Sequence, residues 1–561
     1  MSIASYPNVF GFLDRITSLI KLYVTTPPTL CGSHPHYSKS DAISTSSRKL
    51  LARHFAYALL IALVSWPQMN AFAFDFKDVI SKAEILAAKP YKAPELVPQF
   101  MRELSYEQSQ SIRFKPEKSL WRANNSRFQV MLVAPGSVLT HAIKLNTISV
   151  NGVQPVSFQK ELFDYGSEDL AKKVPADLGF AGFNLTFPMK QADMQNQFLV
   201  FAGASYFRGV GRGNNFGLSA RGIAIDTAMD RGEEFPSFVE FWLVKPAPDS
   251  PQMTFFALLD GESLTGAYQF TVMPGQPTRV DVKAVLFARY DIGLLGIAPL
   301  TSMFYYGENM ERPVGNWRPE VHDSDGLLIH NGTDEWLWRP LLNPRDLQVE
   351  SFSVGNPKGF GLLNRDKRFE SYQDAQALYH SRPSAWVRIK DRWGSGRIVL
   401  VQIPTKNETN DNIVAFWTPS VQIKEGGRLA LNYELSFGED LLTGQKLARS
   451  MNTFVGLGNI VGGGSVKGAY RFVVDFSGPS IDKLAPDAAV LAVVSAQQGE
   501  ILEQYVEYIK ASKVWRLSFL ARPEKDEPLL LRAFLKKGES PLTETWTYHL
   551  PVNNGIGGSQ E

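Results

Sequence analysis

Residues 238–244 read Phe238-Val239-Glu240-Phe241-Trp242-Leu243-Val244. Apolar and polar residues partly alternate there, as a strand with one buried and one wet face requires. Short apolar segments of the same kind recur at residues 128–134, 282–288, 397–403 and 413–417. Repeated short strands are therefore expected from about residue 112 to residue 436. Composition agrees with this reading. The 561 residues include 44 Gly and 34 Pro, with 36 Phe, 19 Tyr and 11 Trp, and 44% are hydrophobic against 20% charged. Many short strands joined by Gly/Pro turns give that mixture, and a fibrous or disordered chain does not. The expected fold class is all-β, and the length calls for more than one domain.

Working outward, residues 76–88 have helical spacing, and Ala93-Pro94-Glu95 breaks it. Residues 306–347 form the longest irregular stretch, and loops of that length usually bind or cover something. Residues 437–465 read as a flexible linker, because Leu457-Gly458-Asn459 and Val461-Gly462-Gly463-Gly464-Ser465 pack poorly. Short strands at 470–476, 488–494, 515–521, 529–534 and 545–550 follow, with the rhythm of an immunoglobulin-like sandwich. The expected division is a leader at 1–73, a large β-sandwich at 74–436, the linker at 437–465 and a small sandwich at 466–561.

The leader reads as an export signal. Arg48, Lys49 and Arg53 precede an apolar run at 55–66, and Asn70-Ala71-Phe72-Ala73 offers a small-residue cleavage site. The run is too short for the roughly 20 residues of a membrane span. Removing residues 1–73 takes six basic and two acidic residues from totals of 58 and 56, which leaves 52 against 54. No basic block marks a nucleic-acid partner. Cys31, the single cysteine, lies in the leader, so the mature chain suits an oxidising compartment without depending on disulfides.

Several site classes are unsupported. His141, His322, His330, His380 and His549 have no i, i+4 zinc spacing, so no metal is expected. There is no G-x-S-x-G elbow. Gly209-Val210-Gly211-Arg212-Gly213 lacks the lysine of a phosphate loop and reads as a plain loop. The acids are more informative. Residues 317–326 (WRPEVHDSDG) and 407–412 (NETNDN) concentrate carboxylates between strand-forming segments. Solvated turns would also account for them, and a calcium loop fails for want of the later bidentate Glu. Glycoside hydrolysis needs two such groups, one protonated and one ionised. Six of the 11 Trp lie between 317 and 417, with Tyr305, Tyr306 and Tyr379 beside them. Sugar rings stack on aromatic faces, while carboxylates, Arg and amides bind their hydroxyls.

These residues carry a family resemblance. Residues 178–183 (LGFAGF), 203–208 (GASYFR), 217–222 (GLSARG), 299–304 (PLTSMF), 320–327 (EVHDSDGL), 382–387 (RPSAWV), 408–417 (ETNDNIVAFW) and 544–548 (ETWTY) stand in collinear order. The chain resembles the G/D family of osmoregulated periplasmic glucan biosynthesis, the G type most. The resemblance implies a large galactose-mutarotase-like β-sandwich followed by a smaller immunoglobulin-like one. It implies a periplasmic location and a β-1,2-linked glucan as partner. Relatives of the D type look like inverting β-1,2-glucanases. By that similarity Asp411 matches the general acid and Asp323 the base, with Glu408 and Tyr379 lining the water relay. Arg318, Glu320, His322, Asp325, Tyr305, Tyr306, Arg221, Trp386 and Trp417 are then the candidate substrate-binding residues. No cofactor, nucleic acid or stable membrane insertion is expected. The leader departs from the D type, because Arg48-Lys49 replaces a twin arginine. Two functions fit: an enzyme that cleaves or remodels glucan, and a non-catalytic scaffold that guides nascent glucan from a membrane synthase.

Overall fold

Two large, mostly antiparallel sheets face each other across a core of phenylalanine rings. The computed structural model describes residues 74–439, 441–442, 445–459 and 464–552. The export reading of residues 1–73, with Cys31, lies outside them. The described residues fall within one unit. The first sheet runs in the order Gln129–Val133, Gly182–Phe187, Asn196–Ala202, Tyr206–Gly209, Ser219–Arg221, Leu295–Ser302, Ile413–Pro419, Ser395–Gln402, Gln348–Gly355. Opposite it lie Ser237–Val244, Met253–Asp260, Leu264–Met273, Thr278–Ala288 and Arg428–Gly438 of the second sheet. The stretch 238–244 is thus a strand, with a register shift between Phe238 and Glu240 that explains its imperfect alternation. Phe201 lies at the centre. Its ring stacks on Phe207 at 4.7 Å and meets Phe255 and Phe270 of the facing sheet edge-on at 5.3 and 5.1 Å.

The helix Phe76–Ala87 starts at Asp75, whose side chain accepts from Lys77 N at 2.7 Å while Asp78 accepts from Asp75 N at 2.7 Å. Such a reciprocal cap satisfies two otherwise orphaned backbone donors. Its buried Val79 and Ala83 pack with Trp242, Phe256 and Leu258 on the outer face of the second sheet. Among the described residues no helix is long and apolar enough to cross a membrane.

Two expectations need correction. The stretch 306–347 is not simply irregular: it holds the strands Val321–His322, Gly326–His330 and Trp336–Pro340. The latter two are interior strands of the second sheet, covered on both faces, so they read as unbroken apolar runs without alternation. Nor is 437–465 a flexible linker in its described part. Arg449–Asn459 is an 11-residue strand paired with Ser465–Ser477, and alternate residues Thr453 and Val455 turn inward to the core region. The glycines suggested flexibility, but the strand precedes most of them.

The second sheet also continues into the C-terminal region. Trp336–Pro340 pairs in parallel with Thr545–Leu550, and the ladder goes on through Leu529–Lys537 to Leu491–Gln497. A four-stranded sheet of Arg449–Asn459, Ser465–Ser477, Val514–Pro523 and Gly499–Ile509 completes this region. The core between them combines Phe472, Phe519 and Trp546 with Leu328, Trp338, Leu363 and Trp386 from the preceding part of the chain. Shared strands and a shared core should make the two regions unfold together. A calorimetric scan is expected to show one transition, with Trp338→Ala lowering stability by about 3–5 kcal/mol. Two resolved transitions, only one of them moved by Trp338→Ala, would contradict this coupling.

Candidate functional site

The first sheet sorts its side chains by strict alternation. Leu132, Phe183, Phe201 and Phe207 lie in register across four strands and point into the core. One residue away, Met131, Asn184, Val200 and Arg208 form the adjacent row on the opposite face. That row continues through Ser219, whose hydroxyl accepts from Arg208 Nε at 2.7 Å, to Thr301 on the next strand.

Asp411 and Asp323 reach this face from different loops. Asn412 fixes the first: its amide oxygen accepts from Phe304 N at 2.8 Å, and its amide nitrogen donates to Phe304 O and Ile403 O, both at 3.0 Å. The second is fixed by its own backbone, with Asp323 N donating to Met303 O at 2.8 Å. Both aspartates are therefore anchored at residues 303–304, just past the end of the strand Leu295–Ser302. Arg208 Nη2 lies 3.2 Å from Asp411 Oδ2, and Arg382 pairs with Asp323. Asp323 is buried, and burial pushes its carboxyl above the usual range. Arg382 draws it back down, and the nearby charge of Asp411 raises it again. The two carboxylates thus share one electrostatic field.

Glu408 and Tyr379 join them. Glu408 accepts a two-pronged bond from Arg318 at 2.9 and 2.6 Å, and Arg318 also reaches Asp374 at 3.1 Å. Such forked pairs hold a carboxylate in one orientation. The Arg382 guanidinium lies 4.4 Å over the Tyr379 ring. Burial raises the Tyr379 hydroxyl strongly, and the charges of Glu408 and Asp323 raise it further. Tyr306 donates to Arg318 O at 3.1 Å, and burial pushes its hydroxyl up to about 12. Tyr305 packs edge-on against it at 5.1 Å. Arg221 is buried beneath the same face, bonded to Thr301 Oγ1 at 2.9 Å and lying between the rings of Tyr206 and Phe235 at 4.7 and 5.5 Å.

Glu320, His322 and Asp325 sit behind Asp323. His322 Nε2 is 2.8 Å from Glu320 Oε2, and Nδ1 is 3.4 Å from Asp325 Oδ1. Among the described residues this is the one group of three ligand-type side chains close enough to hold a metal. Burial alone would lower the imidazole. Asp325, Glu320 and Glu308 overcome that and lift it to about 9. With the ring held between two carboxylates, the group has the arrangement of an ion triad that braces the loop. Glu320 and His322 are buried, and Asp325 is half-buried.

Two expected stacking platforms are core residues instead. Trp386 is buried with Trp338 in the second core, and Trp417 is 1% exposed against Trp393 at 5.1 Å. Neither presents a ring face to a ligand, because each lies on a strand covered on both sides. Trp317, at 65% exposed, and Phe235, at 51%, offer open rings. Arg208 and Arg382 were not singled out from sequence, although both lie in quoted motifs. The signal for Arg208 was a lone charge in an apolar strand segment.

Fold and site together define an all-β protein with a cluster of acids and arginines beside the outer face of one sheet. The chain belongs to the family described as periplasmic glucan biosynthesis protein, MdoG, whose profile matches residues 74–550. It is similar to proteins named glucans biosynthesis protein G. The one from Ralstonia nicotianae is 44% identical over 503 residues, covering 88% of this chain and 98% of that protein. Those from Dickeya dadantii and Pectobacterium atrosepticum are 41% and 42% identical over 509 residues, covering 89% of this chain and 97% of each.

The raised imidazole makes a pH prediction. His322 has an ordinary value of 6.5 and is lifted to about 9 in the fold. Its contribution is fully present below pH 6.5 and is lost as pH rises through about 9. At about 1.4 kcal/mol per unit it amounts to roughly 3 kcal/mol. Urea unfolding of the wild type and His322→Gln should show a stability gap that narrows by that amount between pH 6.5 and 9. A gap constant over this window would contradict a charged His322.

Proposed function

We propose that the protein acts in periplasmic glucan biosynthesis by inverting cleavage or remodelling of β-1,2-linked glucan, with Asp411 as general acid and Asp323 as base. The family and the names of its relatives support the glucan role and the periplasmic location. The observation that carries the mechanism is the placement of both aspartates beside residues 303–304 in unlike surroundings. Asp411 is partly open, so it can meet a leaving glycosidic oxygen. Asp323 is buried and its carboxyl is raised, which makes it a stronger base than an ordinary aspartate. Proton transfer from an attacking water to so buried a group needs a relay, and the Tyr379 hydroxyl, which feels the charges of both Glu408 and Asp323, supports one. Arg382 holds Asp323 in place, and Arg318 holds Glu408. In this reading the large β-sandwich resembling galactose mutarotase carries the site, and the C-terminal immunoglobulin-like region buttresses it.

A second reading has its own support. Arg208 lies against the Asp411 carboxylate, an ion pair that suits holding sugar hydroxyls. The protein would then be a non-catalytic scaffold that receives glucan from a membrane synthase.

Incubating the mature protein with linear β-1,2-glucan and sizing the products separates the two. The catalytic reading expects shortened or rearranged chains. Asp411→Asn keeps the shape but removes the proton donor, so turnover should fall by about 10² or more while glucan binding persists. Asp323→Asn should do the same. Binding without turnover by the wild type would overturn the catalytic reading and leave the scaffold.

A further inference from the structure

The row that carries Arg208 extends well beyond the acid pair. From Arg208 it crosses Val200 and Asn184 to Met131 on the edge strand, three strand spacings or about 14 Å away. At that end the same sheet face opens into a cavity of about 730 Å3, lined by Met131, Asn184 and Gln197 from the sheet. Arg113, Lys115 and Asp164 wall it from the short antiparallel pair Arg113–Phe114 and Phe163–Asp164 and its flanks. This volume lies in the range of sites that enclose small ligands.

The lining has the chemistry of a neutral polyhydroxylated ligand. Asn184 is half-buried and Arg113 exposed, and among the described residues neither side chain makes a hydrogen bond. An amide offers both donors and acceptors, and a guanidinium offers several donors, so between them they can pair with adjacent hydroxyls. Beneath lie the thioether of Met131 and the rings of Phe114 and Phe163, packed edge-on at 5.5 Å. These give an apolar wall for the C–H faces of a sugar. The cations are spaced among the carboxylates of Asp164 and Glu117, so the cavity has no strong preference for an anion.

We propose that this cavity is a distal binding site for the glucan chain, holding glucosyl residues about 14 Å from the Arg208–Asp411 pair along the same sheet face. The proposal rests on the glucan reading above and adds to it a minimum chain length for full affinity. Only a glucan long enough to occupy the acid pair and the cavity together gains the distal contacts, by the logic of two linked sites.

The test is calorimetric titration of the mature protein with linear β-1,2-glucans sorted by length, in an Asp411→Asn background so that none is consumed. Affinity should rise with length and then level off. Adding Arg113→Ala and Asn184→Ala should weaken long chains about tenfold and leave short chains unchanged, so that the length dependence flattens. Arg113 is exposed, so Arg113→Ala alone gives a partial effect of the same kind if the triple variant does not fold. Long-chain affinity that stays unchanged, or short and long chains weakened equally, would overturn the distal site while sparing the glucan reading. Failure of the background protein to bind glucan of any length would overturn both.

Discussion

The stack of Phe183, Phe201 and Phe207 sets the register of the first sheet, and the site depends on that register. Phe183 and Phe201 lie 5.5 Å apart, and Phe201 and Phe207 4.7 Å, each pair close to parallel. Strand side chains alternate with a period of two, so a slip by one residue would bring Arg208 into the core and turn Phe207 outward. The cost of burying an unpaired guanidinium forbids that alternative. Packing on one face therefore decides which residues appear on the other. Arg208, Ser219 and Thr301 lie on the opposite side of the sheet because Phe207, Ala220 and Leu300 cannot leave the core.

Buried charge organises the rest. The loop bearing Asp323 is backed by the triad of Glu320, His322 and Asp325. From there a polar network runs into the C-terminal region. Asp325 Oδ2 accepts from the backbone of Arg365 and Asp366, the Arg365 side chain pairs with Glu544, and Glu544 accepts from Ser450 N at 2.9 Å. Glu308, which accepts from Thr453 N at 2.9 Å, lies on the same path, and burial with its acidic neighbours raises its carboxyl well above the ordinary range. Breaking one member of such a network leaves a buried charge uncompensated, so its parts are held in place together. The C-terminal region is thereby tied to the loop that positions Asp323, through a shared sheet and through these ion pairs.

Much of this was legible in the sequence, for physical reasons that also explain what was not. Strands such as Ser395–Gln402 and Ile413–Pro419 show as apolar runs between polar loops, and the helix Phe76–Ala87 shows its spacing. The acid clusters at 317–326 and 407–412 stood out because they concentrate carboxylates between strand-forming segments. Sequence could not show that His322 and Glu320 are buried while Asp411 stays partly open, since burial is decided by elements far away in the chain. Trp386 and Trp417 looked like platforms because an aromatic residue reads alike in a core and in a cleft. Gly326–His330 and Trp336–Pro340 were hidden among prolines and glycines, and their lack of alternation reflects cover on both faces. Which face Arg208 takes becomes visible only when register is known.

The central claim is that the face bearing Arg208, Asp411 and Asp323 is where glucan sits. A crystal structure of the Asp411→Asn protein with a linear β-1,2-glucan tests it most directly. The account places a glycosidic oxygen beside residue 411, with Asp323 and an ordered water on the far side of the adjacent sugar ring. Glucan bound instead on the C-terminal four-stranded sheet, with the Arg208 face empty, would contradict it.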